Sequence, residues 1–376
     1  MIDKTQIEKF DFIIIGLGLS GITLLLELLK RTKKKILIIE KKKKLNRDKN
    51  WCFWSYPKNF LTNKYRHSWK EVIIKYKTKE ISKREQNYSY LQVYSDDLYK
   101  IAIDKLNKSN NCKLLLNQEI NYFKETSDGV YLDINEKSYF SEIVFDSRPS
   151  QIESGKLLQH FYGIEVESNK KAFNTNEVTL MHFQDNDKEI HFFYILPYSE
   201  KKALIETTYF SKKIYQEQKY LKDIESYINK EYPKINFKYG FKEKGVIPMY
   251  EIKNNVSSKI IKIGTAGNWT RISTGYTLQN SFKKSREIVD CIINKKKIKL
   301  KKDMISNFLD KVFCKYLEIY PEKSNILFIR FFEKLKLSII IKFLTNKYHF
   351  FDLIKVIFSL PKLQLLKCLV LVLKND

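Results

Sequence analysis

The chain has 376 residues, 43% of them apolar, so it is long and apolar enough to bury a core, and general disorder is excluded. It carries a net charge of +26, yet only eight of its 69 basic residues are Arg. Because base readers and phosphate clamps favour Arg, the scattered Lys excess disfavours a nucleic-acid partner. Most of this charge is interpreted as a Lys-rich background, with attraction to an anionic membrane surface as the alternative.

Five Cys residues without a CxxC pair suggest neither a disulfide framework nor a zinc site, and they fit a reducing compartment. The apolar stretch 10–29 contains Asp11 and Glu27 and precedes no small-residue cleavage site. It is therefore predicted to be neither a signal peptide nor a membrane span. We expect a cytoplasmic protein that has no transmembrane helix and binds no metal.

The N-terminal region predicts a strand, a glycine-rich turn, a helix and a second strand between residues 10 and 40. In GLGLSG, Gly16 permits a tight turn, Gly18 lets the backbone approach a pyrophosphate, and Gly21 lets the helix pack on the strand. Glu40 ends the second strand, where an acidic side chain would hold a ribose hydroxyl. Together these features predict a dinucleotide-binding unit, with phosphate at the helix N-terminus.

Strand and helix patterns continue along the chain. Strands are predicted at 69–81, 113–120, 160–167, 189–197, 203–211 and 259–264, and helices at 95–108 and 280–294. A second glycine-rich turn, with Gly264, Gly267 and Gly275, follows the last of these strands. This return segment and the N-terminal position of the first motif favour FAD over NAD.

The predicted fold class is α/β, with a Rossmann-type FAD-binding domain, an antiparallel β-sheet substrate lobe and a helical C-terminal region. The FAD-binding domain is predicted at 8–158, with a strand insertion near 69–90, and the substrate lobe at 159–254. A return segment at 255–295 completes the FAD domain, and residues 296–376 form the helical region.

The C-terminal region is basic and amphipathic in pattern. Its apolar stripe consists of Phe328, Phe331, Phe332, Leu335, Ile339 and Phe343, and its polar stripe of Arg330, Lys334, Ser338 and Lys342. Taken as one helix, this pattern predicts a cap whose apolar stripe meets anionic lipid. We therefore expect peripheral association with the membrane.

Six ordered segments carry a resemblance to a known family. They are DKNWCFW (48–54), VFDSRP (144–149), QHFYGIEVE (159–167), FYILPYSEKKALIETTYFS (193–211), GVIPM (245–249) and GTAGNWTRISTGYTL (264–278). In this order they resemble motifs of the lycopene beta-cyclases, and the resemblance covers about residues 10–290.

The resemblance implies an acid-catalysed, non-redox cyclization in carotenoid biosynthesis. Protonation of a terminal double bond of lycopene, or of a related acyclic carotenoid, gives a tertiary carbocation. The neighbouring double bond attacks this cation, and loss of a ring proton leaves the beta ring of beta-carotene. The resemblance also implies reduced FAD as a stabiliser of the cation and NAD(P)H as the reductant.

Glu206 in LIETT matches the family's catalytic carboxylate, and Glu165 in GIEVE is the reserve candidate. An acid in an apolar pocket stays protonated near neutral pH because desolvation raises its pKa. By alternation, Glu206 shares a strand face with Leu204 and Thr208, whereas Thr207 points to the opposite face. The alternative interpretation of Glu206 is a strand residue that faces solvent.

The resemblance implies further contacts with cofactor and substrate. Asp146 and Arg148 are expected near FAD, with a salt bridge at a strand end as the alternative. The other cofactor-binding candidates are Gly16, Gly18, Gly21, Glu40, Gly264, Gly267, Thr274, Gly275 and Tyr276. The substrate-pocket candidates are Trp51, Phe53, Trp54 and Trp269, for which ordinary core packing is the alternative.

A few positions depart from the family pattern. Asn268 and Arg271 stand where Gly and Lys are usual, and Thr207 stands where some members have a second acid. Thr265 stands where flavin hydroxylases carry the Asp of a GDAAH-type segment, which disfavours a monooxygenase. Another FAD-dependent reductase or hydroxylase, acting on an isoprenoid or other apolar substrate, stays open as the alternative function.

Overall fold

The computed structural model describes residues 7–120, 122–135, 137–186, 188–254, 257–301 and 303–375. The strands are β1 (Glu8–Ile15), β2 (Ile36–Glu40), β3 (Asn50–Trp54), β4 (His67–Trp69), β5 (Glu71–Tyr76), β6 (Lys79–Arg84), β7 (Tyr90–Tyr94), β8 (Cys112–Leu116), β9 (Tyr122–Glu125), β10 (Val130–Ile134), β11 (Lys137–Asp146), β12 (Leu158–Ser168), β13 (Glu177–Phe183), β14 (Ile190–Pro197), β15 (Lys202–Ser211), β16 (Phe237–Pro248) and β17 (Ile260–Lys262). The α-helices are α1 (Leu19–Arg31), α2 (Ser95–Asn107), α3 (Glu217–Glu231), α4 (Leu278–Ile293), α5 (Met304–Ile319), α6 (Pro321–Lys334), α7 (Leu337–Leu344), α8 (Phe350–Ser359) and α9 (Lys362–Asn375).

The first sheet has a parallel core in the order β8-β2-β1-β11, with β17 parallel to the last residues of β11. Helices α1, α2 and α4 cover one face of this parallel core, and residues of β10 and β11 pack on its other face, so β1 and β2 are apolar on both sides. Strands β9 and β10 add an antiparallel edge next to β11. The return strand β17 leads into α4, which packs beside α1, where Ser285 Oγ donates to Thr23 Oγ1 at 3.0 Å. Both parts of the chain thus contribute to one Rossmann-type layer.

The second sheet has the order β16-β12-β15-β14-β13-β5-β6 and is antiparallel except between β13 and β5. The β5–β6 hairpin, at 71–84, extends the edge of this sheet through pairing of β5 with β13. One face of the sheet packs on α3 through an aromatic cluster that includes Tyr209, Tyr220 and Tyr227. A small third sheet, in the order β3-β7-β4, joins the two larger sheets.

The C-terminal region is helical, as predicted, but its amphipathic pattern has a different meaning. The expected single helix breaks after Lys334 into α6 and α7. Phe328, Phe331 and Phe332 are buried against the second sheet and its helices, so the expected contact of this stripe with lipid is wrong. Helices α8 and α9 carry most of the exposed apolar side chains of this region, and Phe351 is 73% exposed and Leu363 81% exposed.

The length and composition of each helix determine whether it could cross a membrane. None of the helices in the described ranges is by itself long and apolar enough to cross a bilayer. Helices α8 and α9 together meet that test, but they are bent by 111° at the break between them.

A buried ion pair fastens the C-terminal helices to the return segment. The Arg271 guanidinium donates to both carboxylate oxygens of Asp310 on α5, and its Nη1 donates to the carbonyl of Phe343 on α7 at 2.6 Å. Ser273 Oγ also donates to Asp310, at 2.8 Å. Since Lys offers no planar fork, this geometry explains why Arg replaces the usual Lys. One guanidinium therefore connects three segments of the fold.

We expect Arg271→Met to lower the free energy of unfolding by about 3–5 kcal/mol, because Asp310 would keep a buried charge without its partner. Adding Asp310→Leu should recover a large part of that loss. Chemical denaturation of the two variants measures both effects. The matched control is Arg66→Met, whose half-exposed ion pair with Asp97 predicts a loss of about 0–1 kcal/mol. Equal losses for Arg271→Met and Arg66→Met would contradict this interpretation of the buried pair.

Candidate functional site

A cavity of about 1040 Å³ lies between the two large sheets and the C-terminal helices. One end is lined by the turn at the start of α1 and by the return segment, and the middle by polar and acidic side chains of β3, β15 and β16. The other end is apolar, with Phe192, Phe210, Phe328, Phe331, Phe332 and Phe343 among its lining residues. The cavity thus joins a backbone-lined end to a hydrocarbon-lined end.

The first glycine motif forms the backbone-lined end. A Cβ at Gly21 would lie 2.0 Å from the carbonyl oxygen of Gly16, so glycine is required where α1 crosses the preceding turn. A Cβ at Gly18 would meet no atom within 4 Å, and this residue lines the cavity together with Leu19 and Ser20. The N-terminus of α1 therefore presents open backbone to the cavity, as an anion site requires.

Glu40 fixes the glycine turn from the end of β2. Its carboxylate is buried and accepts the N–H of Leu17 at 2.6 Å and the N–H of Lys42 at 3.0 Å. The side chain does not line the cavity. A contact between Glu40 and a ribose hydroxyl stays a prediction, whereas its support of the turn is direct.

Asp146 and Arg148 form a strand-end ion-pair cluster. The fully buried Asp146 carboxylate accepts from Nε and Nη2 of Arg148, and from Nζ of Lys262 on β17 at 2.8 Å. These hydrogen bonds hold the pKa of Asp146 below its usual value although burial opposes them. Neither Asp146 nor Arg148 lines the cavity. Their effect on it is indirect, because they anchor the loop whose Ser147 and Pro149 do line it.

The return segment contributes a second wall at the same end of the cavity. The cavity is lined here by Gly264, Thr265, Thr274, Gly275 and Tyr276, whose contact with a cofactor stays a prediction. Gly267 does not line the cavity. This glycine lies against β17, since a Cβ there would be 2.3 Å from the carbonyl oxygen of Lys262. Its role is close packing of the turn on β17.

The predicted aromatic wall is divided between cavity and core. Trp51 lines the cavity and is partly exposed. Phe53 and Trp269 belong to the core around α1, and Trp54 belongs to the core of the second sheet. All three are almost fully buried and do not line the cavity, so the substrate-pocket prediction does not fit them. Alternation along β3 explains which core each side chain joins, since Trp51 and Phe53 face the core around α1 whereas Cys52 and Trp54 face that of the second sheet.

Two carboxyl groups face each other in the middle of the cavity. Gly163 on β12 pairs with Glu206 on β15 on one side and with Glu243 on β16 on the other. A Cβ at Gly163 would lie 3.4 Å from both Glu206 Cβ and Glu243 Cγ. The missing side chain therefore leaves the space into which both acids extend, and both line the cavity.

Burial and mutual repulsion change the ionisation of this pair. Desolvation, with a smaller contribution from the charge of Glu243, raises the pKa of Glu206 to about 8. Desolvation also raises the pKa of Glu243, but hydrogen bonds from the Asn50 side chain and backbone act in the opposite direction. Because two like charges this close in an apolar cavity are unfavourable, one of the two carboxyl groups stays protonated at neutral pH.

The neighbours of Glu206 are those that alternation predicts. Leu204 and Thr208 line the cavity with it, and Thr208 Oγ1 donates to Glu206 Oε1 at 2.8 Å. Thr207 points to the other face of the sheet, where its hydroxyl lies 2.8 Å from Nε2 of His191. The absence of a second acid at position 207 therefore leaves the environment of Glu206 intact.

Glu165, the reserve acid, occupies a different position. It is buried and pairs with Arg47 at 2.5 Å and with Lys202 at 3.3 Å. It does not line the cavity, so it is not brought together with Glu206. Its part in the site is contact with Arg47.

Sequence reasoning missed Glu243 and Asn50. Asn50 donates from its backbone N–H to Glu243 Oε2 at 3.0 Å and from Nδ2 to Glu243 Oε1 at 2.6 Å. Both residues lie within or beside recognised motifs, since Asn50 precedes Trp51 and Glu243 is two residues before Gly245. The signal that could have found Glu243 is its alternation with that glycine along β16.

Asn268 suits the backbone conformation of its turn, and the described residues form no metal-binding group. Asn268 has a positive φ of 57°, which Asn tolerates better than most residues, and its side chain bonds both N–H and C=O of Ile252. Asn at this position is therefore compatible with the turn. Within the described ranges, no group of three or more His, Cys, Asp or Glu side chains is arranged to hold a metal ion.

Solved structures show which class of protein this fold belongs to. The chain is similar to a geranylgeranyl bacteriochlorophyll reductase-like protein of Thermoplasma acidophilum, at 11% identity, with a TM-score of 0.70 and coverage of 98% of this chain and 99% of that chain. It is also similar to a flavin-dependent brominase, at 13% identity, with a TM-score of 0.62 and coverage of 90% and 94%. A p-nitrophenol 4-monooxygenase of Pseudomonas putida gives 10% identity, a TM-score of 0.60 and 98% coverage of both chains. The fold is therefore one that flavin-dependent enzymes use.

The family follows from the sequence match. Residues 11–370 match the family model described as lycopene cyclase protein, so the chain belongs to the lycopene cyclase family. The resemblance drawn from the six motifs is thereby confirmed. No curated protein gives a significant sequence match.

Proposed function

We propose that this protein is an FAD-dependent lycopene cyclase that forms beta rings by acid catalysis without net redox change. The observation that carries the proposal is a carboxyl group, Glu206, with a pKa raised to about 8, inside a cavity whose far end is lined by hydrocarbon side chains. Protonation of a double bond needs an acid that keeps its proton at neutral pH, and desolvation provides one. Membership of the lycopene cyclase family supports a carotenoid substrate.

The residues at the backbone-lined end fit FAD. Gly18 and Ser20 at the N-terminus of α1 would face the pyrophosphate, and Thr265, Thr274 and Gly275 would hold the cofactor from the return segment. When bound, reduced FAD would supply negative charge that stabilises a carbocation, and we expect NAD(P)H to reduce it. Gly18 is central to this assignment because the direction of its absent Cβ is open.

The protein's own side chains would carry out the remaining steps. Glu206 donates its proton to the terminal double bond, with Thr208 holding the carboxyl in place. The aromatic rings at the apolar end pack against the polyene and exclude water, which would otherwise capture the cation. The ring faces also stabilise positive charge as the cation forms.

Helices α8 and α9 would bring the enzyme to its substrate in the membrane. Ile357 and Leu366 are 45% and 59% exposed and also line the cavity, so the apolar end opens at the corner between the two helices. Phe350, Phe351 and Phe358 are exposed around this opening, and exposed Lys residues lie on the same helices, at 355, 362, 367 and 374. Aromatic side chains beside Lys suit the surface of an anionic bilayer. A carotenoid would then enter the cavity without crossing water.

A second candidate function is flavin-dependent reduction of an isoprenoid chain. It is favoured by the likeness to the reductase-like protein, which extends over 98% of this chain. The two candidates differ in stoichiometry, because a reductase consumes NAD(P)H in step with product, whereas a cyclase needs reductant only in catalytic amounts. Measuring NAD(P)H oxidation against pigment formation separates them.

Expression in a lycopene-accumulating host tests the main proposal. We expect the wild-type chain to convert lycopene into pigments with beta rings, measured by chromatography. Glu206→Gln should retain FAD but lose at least about a hundredfold in cyclization rate, since the amide is far too weak an acid to protonate a double bond. The matched control is Glu167→Gln on neighbouring β12, an exposed position that should leave the rate unchanged.

The cyclization rate measured in the same assay should depend on pH in one direction. Because the protonated form of Glu206 is active and its pKa is about 8, the rate should fall as the pH rises above that value. A rate that increases through this range, or an active Glu206→Gln variant, would assign the acid to another group.

The position of FAD is tested by binding rather than activity. We expect Gly18→Ala to keep the thermal stability of the wild type but to bind FAD about tenfold more weakly, because its methyl group would occupy the approach of the pyrophosphate. Gly21→Ala should instead lose about 1–3 kcal/mol of stability, since its Cβ would collide with the Gly16 carbonyl. Fluorescence titration and thermal unfolding give the two readouts, and wild-type FAD affinity in Gly18→Ala would contradict this site.

Flotation with liposomes tests the membrane contact. The double variant Phe350→Ser with Phe351→Ser should bind anionic vesicles several-fold less without losing stability, because both rings are more than 70% exposed. The matched control is Tyr65→Ser with Tyr239→Ser, two half-exposed aromatic residues elsewhere, which should bind as the wild type does. Equal binding of the wild type to neutral and anionic vesicles would remove the electrostatic part of the proposal.

A further inference from the structure

A chain of hydrogen bonds leads from Glu165 to the carboxylate pair. Arg47 Nη2 donates to Glu165 Oε1 at 2.5 Å and to Asn50 Oδ1 at 2.7 Å, and Arg47 Nε donates to the same amide oxygen at 3.1 Å. The guanidinium lies between the rings of Tyr94 and Phe241, 3.5 and 4.1 Å from their centroids. Arg47 is therefore held in position by an anion at one side and by aromatic faces above and below.

This chain determines which atoms Asn50 presents to Glu243. Because the amide oxygen of Asn50 receives two N–H groups from Arg47, its Nδ2 points the other way and donates to Glu243 Oε1. The backbone N–H of Asn50 donates to the second oxygen of Glu243. Both oxygens of Glu243 thus accept N–H groups, an arrangement that favours the ionised carboxylate.

Glu206 has the opposite kind of environment. Its Oε1 contacts the hydroxyl of Thr208, a group that either donates or accepts, so protonated Glu206 is tolerated. The two acids flank Gly163 in equivalent positions, yet only Glu243 is tied to fixed N–H donors. The difference assigns the proton to Glu206 and the negative charge to Glu243.

We propose that Glu243 is the proton acceptor of the reaction and that Arg47 and Asn50 are positioning residues that keep it ionised. This inference rests on the proposed cyclization. The O–H bond of Glu206 breaks as a C–H bond forms at the terminal carbon, and the neighbouring double bond closes the ring. The ring C–H bond then breaks toward Glu243, and its electron pair becomes the ring double bond. Proton transfer from Glu243 to Glu206 past Gly163 restores the starting state, with no oxidant or reductant.

Other charged and titratable groups also act on this pair. Lys49 and Arg47 lie on the β3 side of Glu243 and favour its anion. Cys52 of β3 is electrostatically coupled to both acids, and Tyr194 of β14 contacts this thiol. Glu165 of β12 faces Arg47. The pH profile of the enzyme therefore reports on the pair in the field of these groups, and variants must be compared within one profile.

Infrared spectroscopy of the carboxyl carbonyl band tests where the proton resides. At about pH 6, we expect the band of a buried protonated carboxyl to disappear in Glu206→Gln and to persist in Glu243→Gln. The reverse result would overturn the proposal. Thermal unfolding and retained FAD establish that each variant is folded.

Kinetics test the acceptor role. Glu243→Gln should lose at least about a hundredfold in kcat, because the amide does not accept the ring proton. Asn50→Ala should lose about tenfold in kcat with little change in KM, and should shift the acid limb of the pH profile upward by about one unit, since Glu243 loses a donor. Unchanged kcat in Glu243→Gln or an unchanged acid limb in Asn50→Ala would overturn the proposal.

Thr208→Val is the matched control, because it removes the polar neighbour of the other acid. In the pH profile of Thr208→Val, the alkaline limb should shift to higher pH while the acid limb stays in place. The reason is that the Thr208 hydroxyl lowers the pKa of Glu206 in the wild type. If the wild-type protein does not cyclize lycopene, the proposed function is overturned, and the acceptor role of Glu243 with it. An active wild type with an equally active Glu243→Gln would overturn the acceptor role alone.

Discussion

The cavity has room for two carboxyl groups but not for two full negative charges. Desolvation penalises each anion, and their proximity across Gly163 penalises the second one further. Much of the surrounding structure serves this constraint. The glycine removes the side chain that would separate the acids, Asn50 and Arg47 stabilise charge on one of them, and apolar walls keep water from the other.

Much of the fold could be predicted from the sequence, because its signals are local. The run from 10 to 40, the return strand and α4 follow from hydrophobic periodicity and from the spacing of glycines in the two turns. Glu206 and the opposite orientation of Thr207 followed from motif and alternation. Alternation with Gly245 places Glu243 on one face of β16, but its position opposite Glu206 arises from lateral pairing between strands that are distant in sequence, which no local signal reveals.

The aromatic residues show the same limit. The short strand β3 contains Trp51, Phe53 and Trp54. Composition does not reveal which of these side chains faces the cavity and which faces the core. The C-terminal stripe was also ambiguous, since a helix with an apolar face packs equally well on protein or on lipid. The break after Lys334 and the burial of the Phe side chains decide for protein, and most of the exposed apolar side chains of this region lie on α8 and α9.

The ion pair of Arg271 and Asp310 has a consequence for how a long substrate gains access. Arg271 belongs to the segment that lines the polar end of the cavity, and Asp310 and Phe343 belong to helices that line the apolar end. Separating them would expose a buried charge at a cost of several kcal/mol, so α5 and α7 act as a fixed wall rather than a lid. Motion that admits the polyene of the proposed function therefore has to occur at the outer corner of α8 and α9, where the lining side chains already contact solvent.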